Sequence, residues 1–234
     1  MSAARISRRD LLVGGGALVA GAAGTEIGNV LASSGGGPGV GPYVASPGEE
    51  LMVEHGVLKR VLLAYRTIAD QLAAGHAVAA DTIVDAAQII AGYVESFHEG
   101  LEEAYVFPRV RQQQGALVRT LLVQHDRGRH LTEAILSAAP DATKQPKARA
   151  TLLSALRSFV RMYEPHEAWE DTVIYPALRQ VSTQHTLDLL AERFADLENK
   201  QFGGNALGQM LHRLTGVEQQ LNIHDLDAFT PPAT

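Results

Sequence analysis

His98-Glu99-x-x-Glu102-Glu103-x-x-x-Phe107-Pro108 recurs as His166-Glu167-x-x-Glu170-Asp171-x-x-x-Tyr175-Pro176, and in both copies ten residues separate His from Pro. A lone histidine precedes each copy: His55 lies 43 residues before His98, and His125 lies 41 before His166. An α-helix turns by about 100° per residue. With His98 at zero, Glu102 falls at about 40° and Glu99 at about 100° on the same arc. His166, Glu170 and Glu167 repeat that arrangement. The flanking residues are apolar: Ile90, Tyr93, Val94, Phe97, Leu101 and Val106 in the first copy, Leu156, Phe159, Val160, Val173 and Ile174 in the second. Such arcs turned inward would bury several carboxylates at a cost of many kcal/mol. Bound cations remove that cost, so the doubled motif predicts a site for two metal ions.

Composition narrows the chemistry. The 234 residues include no cysteine, which excludes thiolate metal sites, disulfides and iron–sulfur clusters. Net charge is −6 and no basic stripe interleaves with aromatics, so nucleic acid is not an expected partner. The zinc-hydrolase pattern His-Glu-x-x-His is missing, because both copies carry Glu at the last place. No Gly-x-Ser-x-Gly elbow offers a nucleophile. Ferritin-like carboxylate sites need Glu-x-x-His twice; Glu95-x-x-His98 fits once, but Tyr163 holds the matching position.

Around the motifs the chain reads as all-α. Apolar residues recur at three and four through a first helix over 49–74, a second capped by Asp81 and running to about Gln114, a third from Gly115 to about Ala139, and a fourth over 147–181. Pro165 predicts a kink just before His166, and Pro108 and Pro176 predict bends after the motifs. Two weaker helices follow, over 183–199 and 205–222. Four long helices with short connections predict an antiparallel four-helix bundle with two additional C-terminal helices. The N-terminus carries Ser7-Arg8-Arg9-Asp10-Leu11-Leu12, a mild apolar stretch and Val30-Leu31-Ala32 before Ser33, which together resemble a twin-arginine export signal. The expected organisation is a signal over 1–32, a Gly/Pro-rich linker over 33–47, the bundle over 48–182, a helical extension over 183–224 and a loose tail over 225–234. Export would deliver the protein to the periplasm, cell envelope or exterior.

Glu54-His55, His98-x-x-x-Glu102-Glu103 with Phe107-Pro108, His125, and His166-x-x-x-Glu170 with Tyr175-Pro176 resemble the hemerythrin-like, or HHE cation-binding, family over about residues 50–181. The resemblance implies a bundle holding a non-haem di-iron centre whose two iron ions can share an oxygen bridge; manganese or zinc would also suit such ligands. It implies His55, His98, His125 and His166 as terminal ligands and Glu102 and Glu170 as bridging carboxylates, with Glu99 and Glu167 as further candidates. The chain departs from the oxygen carriers. Four residues after His125 stands Arg129, where they have histidine, and Lys59 takes the same place after His55. Asp171 stands at their His-x-x-x-x-Asp spacing, but the first copy's symmetry favours Glu170 as the bridge.

A carboxylate-rich set favours the ferric state. The expected ligand is accordingly dioxygen, peroxide or nitric oxide, with an electron donor that the sequence leaves unknown. Iron storage and a structural scaffold stay open as alternatives. Tyr105, seven residues after His98, is expected to face the open side of the cluster. Trp169 is expected to cover it, and His130, Lys59, Arg129 and Asp171 to stand around the ligands.

Overall fold

The computed structural model describes residues 45–232, so the expected signal and most of the linker lie outside the described residues. Among the described residues there is no strand. Helix α1, Pro47–Ala73, starts with Ser46 as its cap: the Ser46 side chain accepts from the Glu49 amide, the Glu49 carboxylate accepts from the Ser46 amide at 2.7 Å, and Pro47 opens the first turn. After a short connection, helix α2 covers 80–113. Its cap residue is Ala79, which makes no side-chain capping bond, and Asp81 lies inside the first turn rather than at the cap. The backbone leaves helical geometry at Gln114, with φ −117° and ψ 24°, and helix α3 follows over 115–138. A 3-10 turn, Ala139–Asp141, leads towards helix α4 over 146–181.

Helices α2 and α4 both carry π-helical stretches within the motifs. Glu102–Val106 ends just before Phe107-Pro108, and Glu170–Ile174 ends just before Tyr175-Pro176. A proline lacks an N–H and clashes with the carbonyl four residues back. The wider i→i+5 turn takes up that clash, so the helical backbone continues through the proline. Pro165 lies inside the α-helix Pro146–Trp169, and the irregular turn begins after the ligand histidine, at Glu170.

The four long helices share one core. Helix α4 packs against α1 and α3, and α2 packs against α1 and α3. One apolar layer contains Tyr65, Ile68, Leu72, Ile83, Ile135, Leu152 and Phe159; another contains Leu51, Val110, Val118, Leu121 and Leu178. Along each helix the motif residues fall between these layers, which shields them from water. Helices α5, Gln184–Phe202, and α6, Ala206–Leu221, are separated by Gly203, whose φ of 74° suits a residue without a side chain. They lie along the side of the molecule: α6 against α1 and the start of α2, α5 against α1. Arg60 of α1 holds Glu218 of α6 through two hydrogen bonds of 2.7 and 2.5 Å. Phe202 packs edge-on against Phe97 and Tyr93.

Candidate metal centre

Every imidazole of the predicted set is buried, and each turns Nε2 inward. His55 and His98 bring their Nε2 atoms to 3.1 Å, and His125 and His166 bring theirs to 3.2 Å. Both carboxylates expected to bridge lie among these pairs. Glu102 Oε2 is 3.7 Å from His98 Nε2 and 3.5 Å from His125 Nε2, so it reaches both pairs. Glu170 reaches them through different oxygens: Oε2 is 3.5 Å from His55 Nε2, while Oε1 is 3.2 Å from His166 Nε2 and 3.8 Å from His125 Nε2. Among the described residues three groups of potential ligands result: His55–His98–Glu102, His125–His166–Glu170, and Glu99–Glu103–His125 on the Nδ1 side of His125.

The outward nitrogens explain how the rings are held. Nδ1 of His55 donates to Asp171 at 2.8 Å, that of His98 to Glu54 at 2.9 Å, that of His125 to Glu103 at 3.0 Å and that of His166 to Gln124 at 2.9 Å. An acceptor opposite each Nδ1 keeps its proton there and leaves the Nε2 lone pair facing inward. Two such lone pairs do not face one another at 3.1 Å without a cation between or beside them, whether proton or metal. Two imidazoles on one ion at 2.0–2.1 Å stand about 3 Å apart. Meanwhile Glu102 Oε2 and both oxygens of Glu170 are buried without a hydrogen-bond partner. Buried carboxylate oxygens are rarely left so. The residues therefore fit a pair of metal ions.

Electrostatics agree. Burial lowers the His55 pKa, but Asp171, Glu170 and Glu102 outweigh it and hold the ring up to about 10. Its partner His98 is pulled below the ordinary value, chiefly by burial, with the neighbouring His55 charge acting in the same direction. In this pair the interior favours charge on one ring over the other. Burial and the Glu170 charge push Glu102 well above the usual carboxylate range. Burial also raises Glu170, but His166, His125 and His55 overcome it and hold that group well below the usual range.

Glu99 and Glu167 are buried, and each pairs with a cation. Glu99 accepts from the Tyr163 hydroxyl at 2.6 Å and from Arg129 at 2.9 Å, and it lies on the Nδ1 side of His125. Glu167 Oε1 takes Lys59 at 2.6 Å, while its Oε2 is buried without a partner. Lys59 and Arg129 thus perform matching tasks: each cation clamps the glutamate that follows the motif histidine of the opposite half. Asp171 holds His55 instead of a metal position.

Three placements correct the sequence reading. Tyr105 does not face the cluster. Its hydroxyl accepts from Arg193 at 3.0 Å and its ring meets Phe194 of α5. A π turn advances less per residue than an α turn, so the π stretch Glu102–Val106 rotates Tyr105 outward. Trp169 is 55% exposed and covers nothing, because three residues after His166 it sits on the side of the arc away from Glu170. His130 is exposed, with Nδ1 bonded to the Asp126 carbonyl. The tyrosine at the cluster is Tyr175, whose buried hydroxyl donates to Glu102 Oε1 at 2.8 Å and lies 3.3 Å from His55 Nε2. Glu54, Glu103 and Gln124, behind the imidazoles, belong to the site although the motif spacing assigns them no role. Glu54 and Gln124 each directly precede a lone histidine, and that repeat was the available signal.

The description "Hemerythrin HHE cation binding domain" matches residues 46–149 and again 116–226. The chain belongs to the hemerythrin HHE cation-binding family. The two overlapping matches follow from the internal repeat, since α3 can be read as the end of one unit or the start of the next. Uncharacterized proteins from Mycobacterium bovis and from two strains of Mycobacterium tuberculosis are each 44% identical over 188 residues, covering 78% of this chain and 73% of the relative. No solved structure matches the chain. Family and geometry together assign metal binding to this HHE protein, with the His and Glu groups above as those that could hold the ions.

Proposed function

We propose that this HHE protein is an exported non-haem di-iron protein that binds or reacts with dioxygen, peroxide or nitric oxide, on a bundle whose four long helices run antiparallel. The observation that carries the reading is the convergence of four Nε2 atoms with two carboxylates, three of whose oxygens have no hydrogen-bond partner. Two irons, when bound, would supply one-electron oxidation and reduction and room for a small ligand. His55 and His98 would hold one ion, His125 and His166 the other, and Glu102 and Glu170 would span both.

The chain's own residues define the rest. The carboxylates behind the imidazoles raise the donor strength of Nε2 and favour the ferric state. Burial, reinforced by Glu102 and Glu170, keeps the Tyr175 phenol protonated well above its ordinary pKa. Its O–H is therefore a fixed hydrogen-bond donor beside His55. The apolar layers exclude bulk water, which suits a small uncharged ligand.

The test is elemental analysis of protein recovered from the cell envelope, with optical spectra taken after the reduced protein meets oxygen, peroxide or nitric oxide. Two irons per chain and a ligand-dependent spectral change are the expected result. Absence of iron, or iron with no response to any of the three, overturns the redox reading, and uptake far beyond two ions per chain points to storage. Arg8→Lys with Arg9→Lys is expected to retain the protein inside the cell, checked by fractionation.

A further inference from the structure

The two halves place equivalent residues around their imidazoles, but those residues differ in charge. Behind His98 stands Glu54, 3% exposed; behind His166, at the matching sequence position, stands the neutral amide of Gln124. Behind His55 stands Asp171, and behind His125 stands Glu103. Arg129 donates to Glu103 at 2.6 Å as well as to Glu99, which draws negative charge away from the His125 contact. Its counterpart Lys59 reaches Glu167 at 2.6 Å. The third contrast lies on the inner side. Tyr175 presents a hydroxyl to His55 and Glu102, whereas Phe107 in the equivalent place stacks on His125 with ring centroids 5.5 Å apart and offers none.

We infer that the two cation positions are inequivalent: the His55–His98 position takes its divalent cation first and more tightly, and the Glu54–Gln124 difference is the main cause. The inference rests on the two-cation reading above. An imidazole whose Nδ1–H donates to a carboxylate is a stronger donor at Nε2 than one donating to an amide. Glu54 is shielded from water, so its charge acts through a weakly screening interior. At the His125–His166 position one ring leans on an amide and the other on a carboxylate shared with a guanidinium. Exchange of such an outer partner typically changes metal affinity 10–100-fold, and a separation of about that size is expected between the two binding steps.

The experiment titrates the metal-free full chain with zinc in a calorimeter, because zinc has no redox chemistry to complicate the reading. Two resolved steps are expected. Gln124→Glu is expected to tighten the second step and close the gap; Glu54→Gln is expected to weaken the first step and close it from the other side. His166→Ala should keep the tight step, and His98→Ala should lose it. Circular dichroism of each metal-free variant checks that the helices persist, so that a change in affinity is not a change in folding. Two equal steps in the natural chain overturn the inference alone, as does a gap that both exchanges leave unchanged, or a tight step that survives His98→Ala. Failure of the natural chain to take up zinc at all overturns the two-cation reading as well.

Discussion

Glu102 is stabilising or destabilising depending on what occupies the space beside it. In the metal-free chain, burial and the Glu170 charge make its ionised form unfavourable. With a cation bound, the same carboxylate becomes a ligand. Glu102→Gln is therefore expected to raise the melting temperature of the metal-free protein and to lower that of the loaded one. At metal concentrations of 100 to 1,000 times Kd, binding contributes about 3–4 kcal/mol of stability, and the variant loses most of it. Thermal melts with and without zinc check both signs. Glu95 provides a second test. Burial raises its carboxyl to about 7, while Thr132 donates to it at 2.6 Å and partly offsets that rise. The folded chain therefore keeps a proton there that the unfolded chain releases at the ordinary value of 4.5. Between these two pH values the native state binds more protons, and stability falls as pH rises. Glu95→Gln is expected to flatten that slope in urea melts taken from pH 4.5 to 7. The inward face of the site was legible in the sequence, because only three residues part each motif histidine from its glutamate, too few for the flanking π stretches to turn them apart. The outward partners were less so, since His55 and Asp171 meet across 116 residues and no periodicity reports such a pairing.

At the scale of the helices, the π turns decide which aromatic faces the cluster. They carry α2 and α4 through Pro108 and Pro176, and they shift the angular register of everything that follows. A constant 100° per residue therefore placed His98 and Glu102 correctly and Tyr105 wrongly. Helix extents were legible in part: Pro146, Thr183 and Gly203 mark boundaries, whereas Ser46 and Pro47 open a helix where the sequence was read as linker and Asp81 is not a cap. Helix α3 contributes a less visible requirement. A Cβ on Gly128 would overlap the Tyr163 hydroxyl, which donates to Glu99 at 2.6 Å. Gly128→Ala is expected to push that ring aside, to cost about 1–3 kcal/mol, and to weaken metal binding by unseating the Glu99–Arg129 clamp. Denaturant melts and zinc titration read the two effects separately. Nothing in the sequence marks this glycine, because the ring that needs the space comes from another helix.

For the whole molecule, the C-terminal helices are part of the fold. Leu187, Leu190, Phe194, Leu214, Val217 and Leu221 are buried, and Glu218 anchors Arg60. A chain ending at Val181 is expected to melt earlier with and without metal, and to bind an apolar dye that the full chain excludes. Their side-on position was not legible, since weak amphipathicity shows that a face is buried without showing against what. The bracing of the rings has a further consequence. Asp171 of α4 steadies His55 of α1, Glu103 of α2 steadies His125 of α3, and Lys59 and Arg129 also reach across. Each helix pair braces one of its rings itself, through Glu54 or Gln124, and takes the acid that orients the other from the opposite pair. A lone helix pair cut from this protein would keep one group of ligands but leave one of its rings unsteadied, so its grip on an ion is expected to tighten as pairs meet at higher concentration.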